Sequence, residues 1–237
     1  MSAVTGVGSV PFTEMEPALD FVFETCPQWP HLPELGGGMV DRGLGESLSL
    51  DVEGLPVDFL LRLSQSRALG VKLQLCGPLT LSQCAPEHPM EALVERVYRT
   101  ARLWQSQVAG PGLLLLDEPM LEQDSGPLKD LIQALKSTEW RVGVHTCGPP
   151  PMAVLRALEM DLLSFDSHRY KKDFEQGGGF EGGVLWGAVS TDGLHTGSVG
   201  AGWVTPACGL ALRTPAQARS VMARVAALAT LQSPGPT

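Results

Sequence analysis

His145-Thr146-Cys147-Gly148 places an imidazole and a thiol two residues apart at the end of an apolar run. Pro206-Ala207-Cys208-Gly209-Leu210 places a second thiol in a similar position near the C-terminus. Together these side chains supply three of the four donors of a tetrahedral zinc site, because zinc favours cysteine and histidine ligands. A site with an exchangeable position can take a substrate thiol, which loses its proton there and becomes a nucleophile at neutral pH. His-x-Cys alone also arises by chance. Cys208, after a separate strand, and Asp166, at the end of yet another, strengthen the metal reading.

Asp117-Glu118-Pro119 follows four leucines. A carboxylate at the end of a buried strand is costly without a partner. It either caps the next segment or captures a substrate ammonium group. Thr5-Gly6-Val7-Gly8-Ser9 is glycine-rich but lacks the Lys-Ser/Thr ending of a phosphate loop and completes no G-x-G-x-x-G. His31, His88 and His195 have no partner by spacing and read as surface or loop residues. Cys26, Cys76 and Cys84 lack ligand-like neighbours and read as packing residues.

These groups need elements to position them. Apolar runs mark strands at Val4 to Val10, Val71 to Leu75, Leu113 to Leu116, Trp140 to Val144, Leu162 to Phe165 and Val184 to Val189, with a short one at Trp203-Val204. Helical spacing marks Glu16 to Thr25, Leu55 to Ala68, Met90 to Val108, Leu128 to Lys136, Pro151 to Glu159 and Thr214 to Leu231. Cys26 to Gly45, with three prolines and three consecutive glycines, reads as a long loop. Its Trp29-Pro30-His31-Leu32-Pro33 stretch is apolar enough to pack over something.

Strands that are apolar on both faces and alternate with helices predict a parallel sheet covered by helices. The fold expected is α/β: a (β/α)8 TIM barrel, possibly trimmed. A doubly wound open sheet is the competing topology. Residues 1–232 read as one barrel domain and 233–237 as a disordered tail. Ser9, Asp117, His145, Asp166 and Cys208 each lie at or just past the C-terminal end of a predicted strand. In a barrel those ends converge on one face, where the active site is built.

A net charge of -9 and no Lys/Arg run argue against nucleic-acid or anionic-membrane partners. No apolar stretch is long enough to span a bilayer, and the N-terminus has no secretory pattern. Five widely spaced cysteines fit reduced thiols. A cytoplasmic protein is expected.

In sequence order the motifs resemble the catalytic domain of the cobalamin-independent methionine synthase family. Thr5-Gly6-Val7-Gly8-Ser9-Val10-Pro11 is similar to its Ile-Gly-Ser-Phe-Pro opening, and Cys76-Gly77-Pro78-Leu79-Thr80 to its Thr-Gly-Pro-Val-Thr turn. Leu116-Asp117-Glu118-Pro119 resembles its Asp-Glu-Pro motif. His145-Thr146-Cys147 resembles its His-x-Cys motif, and Pro206-Ala207-Cys208-Gly209-Leu210 its Pro-Asp-Cys-Gly-Leu motif.

The resemblance runs from residue 5 to about 215 and implies a zinc-dependent barrel in which homocysteine sulfur attacks a methyl group, giving methionine. It implies that His145, Cys147 and Cys208 are zinc ligands, with Asp166 at the place of the family's fourth ligand, a glutamate. It implies that Asp117 holds the substrate amino group and Ser9 its carboxylate. The chain departs from the pattern in three ways. It lacks the N-terminal folate-binding barrel, has no clear counterpart of a second substrate-holding glutamate, and carries Ser190-Thr191-Asp192-Gly193 where the family has its catalytic histidine. Two methyl donors therefore stay open, methyl-folate and a methylated corrinoid protein. So does a member that binds zinc and thiol but has lost turnover. A decarboxylase of the sister family would need an arginine-rich N-terminal segment, and residues 1–30 contain no arginine.

Overall fold

The structure, a computed structural model, describes residues 2–36, 50–119, 121 and 125–231. Seven strands, β1 Ala3–Val4, β2 Val71–Cys76, β3 Gly112–Asp117, β4 Trp140–Thr146, β5 Leu162–Phe165, β6 Gly183–Val189 and β7 Trp203–Pro206, form one all-parallel sheet. Its spatial order is β1-β7-β6-β5-β4-β3-β2. The sheet curls under its helices as a trimmed TIM barrel, as expected, and excludes the doubly wound alternative. β1 and β2, the two edges, are consecutive in the chain.

The segment between those edges is irregular, as the long-loop reading expects, but it is anchored. Residues 28–36 hydrogen-bond to β2 on one side and to residues 8–10, beyond β1, on the other. Lys72 N donates to Pro30 O and Leu32 N to Lys72 O on one side. Glu34 N donates to Gly8 O and Val10 N to Glu34 O on the other. Both contacts are parallel, at His31↔Lys72 and Ser9↔Glu34. In chain order and in space this segment stands where the second of eight staves belongs. Pro30 and Pro33 have no N–H to give, so no regular ladder forms. The rest of the predicted loop, residues 37–45, lies outside the described residues.

The helices are α1 Met15–Thr25, α2 Val57–Gln65, α3 Pro78–Cys84, α4 Met90–Gln107, α5 Gly126–Leu135, α6 Met152–Ala157, α7 Ser167–Gln176 and α8 Pro215–Leu231. Along α4, Leu93, Val97, Thr100 and Ala101 are buried, at spacings of four, three and one. Residues 190–202, between β6 and β7, carry no helix. That missing crossover helix is one place where the barrel is trimmed.

Side-chain alternation divides the core. In β3, Leu114 and Leu116 join the large cluster beneath the helices, whereas Leu113 and Leu115 face the barrel interior with Leu162 and Leu185. All four β3 leucines are at most 1% exposed. Each stabilises the fold by roughly 1.5–3 kcal/mol relative to exposure. This explains why the strand reads as continuously apolar. Trp29 and Trp203 pack against the interior cluster, edge to face at 5.5 Å. The apolar segment around Trp29 thus packs within the barrel.

Two helices escaped the apolar periodicity. α3 begins at Pro78, which suits a first helical turn because its missing N–H is not needed there. In α7, Ser167–Gln176, only Ser167 and Phe174 are buried, too few to mark a face. Among the described residues, no helix is long and apolar enough to cross a membrane.

Candidate metal and thiol site

The strand ladders bring the site together. Register pairs Cys76 with Asp117, Asp117 with His145, and His145 with Ser164. Asp117 and His145 are therefore neighbours across adjacent strands at the C-terminal end of the sheet. Cys147 follows one residue after β4, and Cys208 two residues after β7.

His145 Nε2 lies 3.3 Å from Cys147 Sγ, and Cys147 Sγ lies 3.8 Å from Cys208 Sγ. Both cysteines are free thiols. Zinc–sulfur bonds of about 2.3 Å and zinc–nitrogen bonds of about 2.0–2.1 Å at tetrahedral angles require edges of about 3.8 Å between sulfurs and about 3.5 Å between nitrogen and sulfur. The donor set and its spacing fit zinc. One ligand atom each from Asp117, His145 and Cys147 also fall within 4.8 Å of one another.

The imidazole is only 1% exposed, and its Nδ1 lies 2.9 Å from Ser164 Oγ. A hydroxyl that accepts the Nδ1 proton leaves the Nε2 lone pair facing Cys147. The neighbouring Cys147 and His145 side chains pull the Cys208 thiol down to about 4, and the Cys208 contact pushes the Cys147 thiol up.

Asp117 Oδ2 accepts from Gln74 Nε2 at 3.2 Å. Its Oδ1 is buried and has no hydrogen-bond partner among the described residues. Burial raises the carboxyl pKa, opposed by His145 and by the Gln74 hydrogen bond. A buried oxygen without a donor is costly unless a ligand supplies a cation or an N–H.

Glu118, next to it, has a different task. It is 0% exposed and accepts from Leu79 N at 3.0 Å, Thr80 N at 2.8 Å and Thr80 Oγ1 at 2.7 Å. It therefore ties off the first turn of α3. Burial lifts its carboxyl to about 7 despite those bonds. A Cβ on Gly77 would stand 2.1 Å from Glu118 Oε1, so the Gly-Pro turn needs glycine to admit the carboxylate. The 76–80 and 116–119 motifs are two halves of one contact.

Ser9 meets the Cys208 motif. Its carbonyl accepts from Leu210 N at 2.9 Å, and a Cβ on Gly209 would lie 1.9 Å from Ser9 Oγ. Asp166 caps α7: its Oδ1 accepts from Arg169 N at 3.1 Å, and its Oδ2 lies 3.7 Å from Arg169 Nε. The Asp117-His145-Cys147 set does not extend to it.

Some polar residues were missed or misplaced by sequence reasoning. His31, read as a surface or loop residue, lies in an irregular segment but is 2% exposed, and its Nδ1 accepts from Gly6 N at 3.2 Å. Its ring occupies the space that a side chain at Gly6 would need. Burial pushes its pKa down to about 3. His195 stacks on His168, with ring centroids 5.5 Å apart. Lys72 and Gln74 project into the barrel from β2 and are both buried. The polar–apolar alternation of Val71-Lys72-Leu73-Gln74-Leu75 was the signal for them.

No family model and no curated protein matches the sequence. Solved structures do. A methyltransferase from Methanosarcina mazei superposes with a TM-score of 0.64 at 14% identity, covering 94% of this chain and 93% of its own. A B12-independent methionine synthase from a Shewanella species, solved in complex with selenomethionine, gives 0.57 at 13% identity, covering 85% of this chain and 70% of its own. The chain shares the barrel fold of these two structures. At these identities the likeness speaks for the fold alone.

Proposed function

We propose that this chain is a zinc-dependent methyltransferase that moves a methyl group to a thiol, homocysteine, giving methionine. The observation that carries the reading is that Cys147 Sγ stands at zinc-tetrahedron edge lengths from both His145 Nε2 and Cys208 Sγ. The shared fold supports it, as does the selenomethionine held by one structural neighbour.

His145, Cys147 and Cys208 would hold the ion, with Asp166 as the fourth protein ligand if it leaves its α7 cap. Zinc bound there supplies a positive charge that keeps a coordinated thiol deprotonated near neutral pH. Ser164 fixes the imidazole so that Nε2 faces the thiols. Asp117 offers its unpartnered oxygen to the substrate ammonium group. Ser9, against the Cys208 loop, takes the carboxylate. Held at both ends, the substrate presents its sulfur for in-line attack on the methyl carbon, where orientation supplies much of the rate. The donor is methyl-folate or a methylated corrinoid protein, and the setting is cytoplasmic.

A second reading is a family member that binds zinc and thiol but no longer turns over. It is favoured by the Ser190–His195 turn, which closes on itself. Ser190 Oγ donates to Asp192 Oδ1 at 2.5 Å, and His195 N donates to Ser190 Oγ at 3.0 Å. Supplying the purified protein with zinc, homocysteine and each methyl donor in turn separates the two. Methionine from either donor supports the enzyme. Homocysteine binding without methionine supports the second reading, and a chain that binds neither metal nor thiol contradicts both.

A further inference from the structure

The polar residues on the inner face of β2 form a directional chain that ends on Asp117. Lys72 is 1% exposed, and its Nζ donates to Val7 O and to Gln74 Oε1. Gln74, 7% exposed, donates from Nε2 to Asp117 Oδ2 at 3.2 Å. A lysine ammonium donates only and a carboxylate accepts only. Between them the glutamine amide has one orientation: its oxygen toward Lys72 and its nitrogen toward Asp117. Reversed, it would set N–H against ammonium and oxygen against carboxylate.

The consequence falls on the other carboxylate oxygen. With Oδ2 engaged, Oδ1 is left buried and without a hydrogen-bond partner among the described residues, on a carboxylate that has one oxygen within 4.8 Å of the His145 and Cys147 ligand atoms. Lys72 also draws on the charges of Glu34 and Asp117, which offset its burial. The side-chain contacts of Lys72 and Gln74 lead to Asp117 and not to His145 or the two thiols, so both act through Asp117.

We propose that Gln74, clamped by Lys72, is a positioning residue that turns Asp117 so that Oδ1 is presented to the cationic end of the substrate. This rests on the functional reading above, in which Asp117 receives the ammonium group. The clamp also selects for ligands that carry a cation: a thiol lacking the amino group gains nothing from it.

The test is calorimetric binding of homocysteine, and of 4-mercaptobutanoate as the same thiol without the amino group, to the zinc-loaded full chain. The proteins are wild type, Gln74→Met, Asp117→Asn and the double variant. Gln74→Met is expected to weaken homocysteine binding about tenfold, the scale of one hydrogen bond to a charged group, and to leave 4-mercaptobutanoate unchanged. In the Asp117→Asn background it is expected to cost nothing further. Gln74→Glu keeps the Lys72 partner and the side-chain shape, and covers the case in which Gln74→Met does not fold. It places a carboxylate against Asp117 and is expected to weaken homocysteine binding at least as much. Wild-type affinity in both Gln74 variants, equal losses for both thiols, or additive losses with Asp117→Asn would overturn the proposal while leaving thiol binding intact. Failure of wild type to bind either thiol would overturn the functional reading and this inference with it.

Discussion

Cys147 and Cys208 are 61 residues apart in the chain, yet their sulfurs lie 3.8 Å from each other at the C-terminal end of the barrel. That separation is too long for a disulfide, whose sulfurs sit at about 2.05 Å. It matches the edge of a tetrahedral sulfur pair around zinc.

The first expectation follows from that pair. Cys147→Ser, Cys208→Ser and His145→Ala should each purify with little zinc, whereas wild type carries about one ion per chain. Metal analysis by mass spectrometry checks this. Because Cys147 and Cys208 are exposed, both serine variants should unfold within about 0.5 kcal/mol of the metal-free wild type.

Ser164 touches the imidazole and not the proposed ion. Ser164→Ala removes the partner of His145 Nδ1 and should weaken zinc binding by about 10–100-fold, the usual effect of losing an outer hydrogen bond to a ligand. Competition with a chromogenic chelator measures it. An unchanged affinity would mean that the imidazole is not held by Ser164.

Adjacent carboxylates should separate cleanly. Glu118→Ala strands the donors at Leu79 and Thr80 inside the protein and should cost about 2–4 kcal/mol in denaturant unfolding. Asp117→Asn removes a buried charge with an unpaired oxygen, so it should leave stability nearly unchanged while weakening homocysteine binding measurably, by about tenfold or more. If both variants lose stability alike, Asp117 is structural.

Much of this site was legible because buried strands end on polar residues. His145 follows an apolar run, Asp117 follows four leucines, and a barrel carries all such ends to one face. The segment in the second stave's place was not legible as one, because Pro30 and Pro33 give residues 28–36 the composition of a loop although its backbone pairs on both sides. Glu118 was invisible for a different reason. Its partners lie nearly 40 residues upstream, and only the register of β2 against β3 brings them within reach. Lys72 and Gln74 alternate with apolar neighbours, which ordinarily means a solvent-facing side of a strand, whereas here they point inward to polar partners at Val7 and Asp117.

His31 gives a pH dependence of stability. Its pKa falls from 6.5 to about 3 on folding because the ring is buried. A group with a depressed folded pKa contributes fully above its unfolded pKa, and that stability is lost as pH falls toward the folded value. Lowering the pH from about 7 to about 5 should therefore cost on the order of 2 kcal/mol through this residue. His31→Asn, which keeps an acceptor for Gly6 N, should flatten that part of the profile. Unfolding in urea across this pH range tests it, and equal slopes in both proteins would remove His31 as the cause.

The central claim is tested most directly by zinc-edge X-ray absorption on the metal-loaded chain, with and without homocysteine. The account expects two sulfur neighbours at about 2.3 Å before addition and three after. No bound zinc, or a sulfur number that homocysteine leaves unchanged, would contradict it.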